Sequence, residues 1–576
     1  MRIRTKIDEV CEFLEKQPKM RAPFSKVSEK TKITKAELDS IAKIMVPSGL
    51  LSVEYPMNML AGPALVLREK QTAKPITEVK GKEIDKYKLK AQDVEAEVTI
   101  KDVEGESRPI YEVKKLEIGP YTEVYLGQMR ELLARQVPVA IEEMVDPRKS
   151  VLLASKFRSA AEAKLMELPG LSKKDSMVLS GLLLQRMYGL GDIELLMSDD
   201  LLEEIAINNS QVPVSVYNRK HGWLKTTLKP GSEENIYNYA AQIGRRSGRN
   251  ITLLSPIMDA HLPTGDRVNA TLFPISNEGN TITIRRFARD PWTVVDFIKL
   301  HTLTSEMAAF IWTCVQYEMN LIVVGGTASG KTSLLNSICA LIPPSNRTIT
   351  IEDTRELNLP SYMKWNWVCL LTRSANEEGK GEVGMLDLMV SSLRMRPDRI
   401  IVGEIRKRRE AEVLFEAMHT GHAVYSTIHA DTGAQMLRRL QNLPFDMPPS
   451  ELSALNLIIV QHRDRREGIR RTYEISEVVS SGELLSLNPI YRWKARGDEF
   501  TRVKDPLRIM EELNLHTGMS PDDIKKDVAE KKKILDWMVK KDIRSIEDVG
   551  KVMNVYYKRP KDVLKAARKN LPLSKL

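Results

Sequence analysis

Residues 321–335 read LIVVGGTASGKTSLL. Within them Gly325, Gly330, Lys331 and Thr332 have the spacing Gly-x-x-x-x-Gly-Lys-Thr, after an apolar strand, Leu321–Val324, and before a helix. That pattern is a phosphate-binding loop. Glycines let the backbone curl until its N–H groups converge on a phosphate, and the N-terminus of the next helix adds partial positive charge. The nucleotide-binding residues read from it are Gly325, Gly326, Thr327, Ala328, Ser329, Gly330, Lys331, Thr332 and Ser333. Lys331 is expected to reach the β- and γ-phosphates of ATP, and the Thr332 hydroxyl to ligate Mg2+. From Asp296 to about residue 500, short apolar strands alternate with helices, the pattern of a parallel α/β sheet covered on both faces.

Two later strands of this block end in acids. Arg347–Ile351 runs into Glu352 and Asp353, with Glu356 close by, and Arg399–Val402 runs into Gly403 and Glu404. Ligands of an open parallel sheet sit at the carboxyl ends of its strands. One carboxylate can therefore orient the attacking water and another can hold the metal; Glu404 and Glu356 are the catalytic candidates, and Thr332, Glu352, Asp353 and Glu404 the metal candidates. Gly403 stands where many phosphate-loop enzymes place an aspartate. Three of the eight histidines, His419, His422 and His429, fall between positions 419 and 429. An imidazole at a strand end can donate to phosphate and report its loss, which assigns a sensor role to His422 and His429.

Upstream, residues 189–290 mix strands, helices and the tight turn Thr264–Arg267, as a small α+β domain would. Residues 71–118 read as a polar, β-rich linker with a small sheet of its own. The first 70 residues give three amphipathic helices and two short β runs, the order of a winged helix. The third helix carries Glu37 and Asp39 beside Lys35 and Lys43 and has no arginine, so a protein-contact adaptor is favoured over a DNA reader. Beyond Pro506 the chain is helical, starting one helix at Ser520-Pro521-Asp522-Asp523 and packing its apolar stripe on the core.

The net charge of +10 in 576 residues permits an anionic partner without demanding one, and 42% hydrophobic with 28% charged residues excludes wholesale disorder. The four cysteines are widely spaced and form no CxxC pair, which argues against a zinc ribbon and fits a reducing compartment. No run approaches ~18 apolar residues, and the N-terminus lacks the apolar core of a signal peptide. A cytoplasmic protein is expected, held at the membrane by a partner.

Four motifs now stand in order: GGTASGKT at 325–332, ITIEDTRE at 349–356, LRMRPDRIIVGEIR at 393–406 and the histidine segment from His422 to His429. With GLGDIELLMSDDLLEEIAIN at 189–208 and DAHLPTGDRVNA at 259–270, the chain resembles the type II/IV secretion ATPase superfamily, the motors of type IV pili, type II secretion and archaeal filaments. Gly403 is typical of that family, and the segment 532–549 is similar to its archaeal branch. The resemblance implies a homohexamer that binds ATP and Mg2+, acts on a polytopic membrane platform protein at the inner face of the membrane, and reaches pilin-like or secretion subunits indirectly. No direct nucleic-acid partner is expected; a nucleic-acid translocase or a conjugation-type secretion motor is the alternative. The resemblance covers roughly residues 120–560 and implies a small α+β, PAS-like domain followed by a RecA-like domain; with the reading above, the expected order is a winged-helix-like domain over 1–70, a β-rich linker region and helix over 71–150, helices with the small α+β domain over 151–290, the RecA-like domain over 291–500 and a helical tail over 501–576. It also implies a neighbouring subunit's arginine at the phosphates: Arg267, Arg285 and Arg286 are candidates, with Arg394 and Arg396 as further ones, and a hinge at Phe287–Val295.

Overall fold

A computed structural model describes residues 2–55, 62–71, 79–136, 147–262, 264–287, 290–375, 379–464, 466–481 and 484–576. Two units result, residues 1–287 and 288–576. The expected hinge at Phe287–Val295 includes residues 288 and 289, which lie outside the described residues.

The first unit begins with β1 (Arg2–Ile3), α1 (Lys6–Glu15), β2 (Arg21–Pro23), α2 (Phe24–Thr31), α3 (Lys35–Met45), β3 (Leu51–Glu54) and β4 (Ala64–Leu67). Strands β2, β4 and β3 form an antiparallel sheet in that order. Thr5 and Thr34 start α1 and α3 with reciprocal caps: each hydroxyl accepts a backbone N–H, and Asp8 or Glu37 accepts the cap's own N–H in return. Asp8 serves a second helix as well. Its carboxylate, wholly buried, accepts the N–H groups of Tyr121 (2.9 Å) and Thr122 (3.1 Å) at the start of α4 (Pro120–Gln136). A Cβ on Gly119 would fall 2.0 Å from that carboxylate, so glycine is required there. Leu38, Ile41 and Met45 of α3 share one core with Tyr121, Leu126 and Leu133 of α4 and with Phe157 and Leu183 of α5 (Pro147–Leu165) and α6 (Lys173–Met187).

The larger sheet of this unit contains β5 (Lys82–Ala91), β6 (Val94–Asp102), β7 (Ile110–Lys114), β9 (Leu202–Ile207), β10 (Ser215–Asn218), β11 (Gly222–Thr226), β12 (Ile257–His261), β13 (Arg267–Thr271) and β14 (Thr281–Arg285); the short β8 (Glu117–Ile118) pairs with β1 instead. Its order is β12-β13-β14-β9-β10-β11-β7-β6-β5. The strands expected to make a separate sheet in a linker are thus part of this one. Two parallel pairs, Lys225↔Ile110 and Thr226↔Tyr111, make the join. The hydroxyls of Tyr87 (2.6 Å) and Tyr111 (2.7 Å) reinforce it by donating to Asp199, a buried carboxylate just ahead of β9.

The second unit is built on β15 (Leu321–Gly325), β16 (Thr348–Glu352), β17 (Trp367–Leu371), β18 (Arg399–Val402), β19 (Ala423–His429), β20 (Leu457–Arg463), β21 (Arg470–Ser481), β22 (Leu484–Lys494) and β23 (Glu499–Arg502). The order is β17-β16-β18-β19-β15-β20-β21-β22-β23, parallel as far as β20 and antiparallel beyond it. The composition of β15 follows from its central place. Leu321 and Val323 face one core while Ile322 and Val324 face the other, so no position is left for a polar side chain.

The first of those cores holds Leu334, Leu335 and Ile338 of the helix after the phosphate loop, residues 331–339, together with Trp312, and Ile534, Leu535, Met538, Val552 and Met553 of the tail. The tail therefore packs on the sheet, as its apolar stripe requires. A buried ion pair fixes it: the Lys531 ammonium donates to Asp527 and to the Thr313 hydroxyl (3.0 Å) and lies 5.7 Å from the ring centre of Trp312.

Candidate nucleotide site

The loop 325–332 joins the end of β15 to its helix through two left-handed residues, Ala328 (φ 59°) and Gly330 (φ 90°). At Gly325 the limit is space, since a Cβ would meet Ser329 Oγ at 2.4 Å and the Gln461 carbonyl oxygen at 2.5 Å. The Ser329 hydroxyl closes the loop by donating to the Gly326 carbonyl at 2.9 Å. Lys331, the first residue of the helix, folds back over the loop. Its ammonium donates to the same carbonyl at 3.0 Å and stands 3.4 Å from each ring nitrogen of His429. Burial lowers the Lys331 pKa, opposed by the charges of Glu404, Glu356 and Asp431. Thr332 is half-buried, whereas Thr327, Ala328 and Ser333 are exposed.

His429 ends β19, which lies beside β15 in register Gly325↔His429. Burial, and after it the Lys331 charge, lower its pKa, with Glu404 pulling the other way. Glu404 follows β18 and puts one oxygen 3.1 Å from His429 Nε2. Its other oxygen accepts from Arg406 Nε (2.8 Å) and Nη2 (2.6 Å), and Arg406 Nη1 continues to Asp353 at 2.8 Å. Thr372 at the end of the next strand donates to the second oxygen of Asp353 (3.2 Å). One connected row of side chains therefore crosses four strand ends: Lys331, His429, Glu404, Arg406, Asp353 and Thr372. Each carboxylate oxygen of Glu404 and Asp353 has a partner within this row, and among the described residues no group of three or more His, Cys, Asp or Glu is arranged to hold a metal ion.

Glu352 is placed differently from its neighbour. It is buried, one oxygen accepts the N–H groups of Glu356 (2.9 Å) and Leu357 (3.0 Å), and the other has no hydrogen-bond partner. Burial raises its pKa to about 7, against those two donors. Gly403 stands beside it, a Cβ there lying 3.4 Å from Glu352 Cγ, an ordinary van der Waals distance. Glu356 is partly buried at the same edge, within electrostatic reach of Lys331.

Two expectations need correction. His422 precedes β19 and His429 ends it, so the seven residues of that strand separate the two rings by about 20 Å at ~3.3 Å per residue. His422 Nδ1 lies 3.1 Å from the Thr420 hydroxyl and 3.2 Å from the Ala417 carbonyl, away from the phosphate loop. Arg286 is not a free cation of the first unit. It is buried, with Nε 3.2 Å from Asp266 Oδ1 and Nη1 donating to the carbonyls of Leu196 (3.1 Å) and Asp199 (3.4 Å). Arg267 and Arg285 are exposed cross-strand neighbours on β13 and β14, and Arg267 also lies 3.7 Å from Asp259. Arg394 and Arg396 are exposed just before β18, at the end opposite Glu404.

Sequence reasoning missed Arg406, which reads as a solvated charge until Glu404 and Asp353 are seen on either side of it. It also missed Asp431, whose Oδ1 would lie 3.1 Å from a Cβ on Gly326, and Arg439, which donates to the His429 carbonyl. Position was the available signal: Arg406 and Asp431 each stand two residues beyond a site residue.

An α/β sheet that carries a phosphate loop and gathers acids and an imidazole at its carboxyl edge defines a phosphate-loop protein. The family model described as type II/IV secretion system protein matches residues 204–471. An uncharacterized protein of Methanocaldococcus jannaschii is 32% identical over 382 residues, which is 65% of this chain and 68% of that protein. Conjugal transfer protein TrbB of Rhizobium radiobacter is 35% identical over 192 residues, 33% of this chain and 56% of its own length. Protein VirB11 of Rhizobium radiobacter is 30% identical over 273 residues, 43% of this chain and 78% of its own. The chain belongs to the type II/IV secretion system protein family.

Proposed function

We propose that this protein is an ATP-hydrolysing motor that drives pilus or filament assembly, or type II-like secretion, as a homohexamer docked on a polytopic membrane protein at the inner face of the membrane. The observation that carries the reading is the row of side chains from Lys331 to Asp353 beside the phosphate loop. Binding alone needs the loop and its lysine. A carboxylate clamped by arginine and set beside an imidazole is an arrangement for directing a water and receiving its proton.

In this reading Lys331 exchanges the Gly326 carbonyl for phosphate oxygens. Glu404 orients the attacking water, His429 holds Glu404 and feels the phosphate, and Glu356 is the second carboxylate of the edge. Thr332, Asp353 and Glu404 would hold Mg2+, which when bound neutralises charge on the β- and γ-phosphates. Glu352 faces inward and shapes the loop 353–357. The first 70 residues are read as a winged-helix-type module for protein contact, because α3 carries Glu37 and Asp39 beside Lys35 and Lys43 and has no arginine. The sheet β9–β14 with its helices is read as the small domain that supplies an arginine to a neighbouring subunit. No helix among the described residues is long and apolar enough to cross a membrane, so docking is assigned to a partner.

A motor of conjugal transfer is the second reading, favoured by the similarity to TrbB. The test is Mg2+-dependent ATP turnover. Lys331→Ala and Glu404→Gln are each expected to abolish it, and unchanged turnover in both defeats the assignment. Stimulation of turnover by DNA beyond what salt screening explains selects a nucleic-acid translocase instead.

A further inference from the structure

The hairpin joining β20 to β21 lies next to the phosphate loop, and its basic residues have no place in the row described above. One face of it abuts the loop directly. A Cβ on Gly325 would sit 2.5 Å from the Gln461 carbonyl oxygen and 3.2 Å from Gln461 Cβ. Two residues further along β20, Arg463 is paired across the hairpin with Arg470 of β21, so their side chains share a face. Arg470 leans over the tip of the loop. Its Nε donates to the Ala328 carbonyl at 3.2 Å, and its Cδ lies 3.6 Å from a Cβ on Gly330.

Like charges directly opposite one another in an antiparallel pair are destabilising, and among the described residues no carboxylate pairs with either of them. Asp464 turns its carboxylate to the N–H groups of Arg466 (2.8 Å) and Glu467 (3.2 Å), and Asp498 takes Arg471 at 2.7 Å. Among the described residues neither Arg463 nor Arg470 forms an ion pair, and the buried Nε of Arg463 has no acceptor at all. Two uncompensated guanidinium groups on the side of a phosphate loop, one with an unused buried donor, form a site for an oxyanion. Their planar forks match phosphate oxygens, and an anion between them would turn mutual repulsion into attraction.

We infer that Arg463 and Arg470 are a cationic clamp for a phosphate group of the nucleotide held at 325–332, a binding element supplied from outside the phosphate-loop motif. The inference rests on the nucleotide reading of that loop, and the experiment separates the two. MgADP and MgATP are titrated calorimetrically into the full chain and into Arg463→Gln, Arg470→Gln, Arg470→Lys and the double glutamine variant, at several salt concentrations. Each single glutamine variant should weaken binding about tenfold, as loss of a charge-assisted hydrogen bond predicts. Arg470→Lys should recover part of the loss, and the double variant should depend less steeply on salt. Arg463 makes no hydrogen bond to the loop, so its loss cannot act by disordering it. If the wild type binds nucleotide and Arg463→Gln binds within twofold of it, the clamp is refuted while the nucleotide reading stands. If the wild type binds neither nucleotide, both fall.

Discussion

Arg286→Ala tests whether the arginines of the first unit are separable into structural and functional ones. The Arg286 guanidinium and the Asp266 carboxylate are each only 4% exposed. Removing the arginine leaves Asp266 with the Thr264 hydroxyl (2.5 Å) and the Phe287 N–H (2.8 Å) as its donors, and strips a donor from the carbonyls of Leu196 and Asp199. Breaking a buried pair from one side costs about 3–5 kcal/mol, most of it the penalty of the charge left behind. At roughly 2–3 °C per kcal/mol for a unit of this size, the transition of the first unit should fall by about 6–15 °C. Arg267→Ala gives the contrast. Its contact with Asp259 is long and half-exposed, so the melting change should stay within about 1 kcal/mol. Differential scanning calorimetry of the full chain reads both, with ATP turnover measured on the same samples. Arg286→Ala melting like the wild type would refute the argument, and would do so decisively if its turnover were also lost.

Arg406→Gln releases Glu404 from Asp353 while leaving the loop untouched. With Arg406 61% exposed the stability change should be under about 1 kcal/mol, whereas turnover should drop at least ~10-fold with ADP affinity unchanged; equal losses in both would assign it to binding rather than positioning. Glu352 makes stability depend on pH. Its folded pKa of about 7 lies above the ordinary 4.5, so between those values the folded chain keeps a proton that the unfolded chain has released. Stability should therefore fall as pH rises across that window, by at most about 3 kcal/mol, and level off above it. Glu352→Gln should flatten that slope in denaturant titrations at pH 5 and pH 8, and an unaltered slope would remove Glu352 as its source.

The phosphate loop was legible because its chemistry is written in consecutive residues between an all-apolar strand and a helix. The acids at 353 and 404 were legible for a related reason: a parallel sheet puts its strand ends on one edge, so chain order predicts proximity there. The same reasoning failed for His422. It is close to His429 in sequence, but a strand lies between them and carries the pair to opposite edges. Strands β5–β7 read as independent because the strand pairing that joins them to the larger sheet is only Lys225↔Ile110 and Thr226↔Tyr111 among the described residues, and no local pattern encodes a partner over a hundred residues away. Asp8 looked like an ordinary first-turn acid of α1, and its service to the start of α4 is a tertiary fact.

Behind the nucleotide loop, Leu334, Leu335 and Ile338 rest in the same apolar mass as Ile534, Met538 and Val552, and the Tyr557 hydroxyl reaches the Leu341 carbonyl at 2.6 Å. The final helices are thus the wall behind that loop, not an appendage trailing from it. Cutting the chain near residue 505 would bare that wall to water, and a load applied to the tail is transmitted to the helix carrying Lys331 by side chains that already touch.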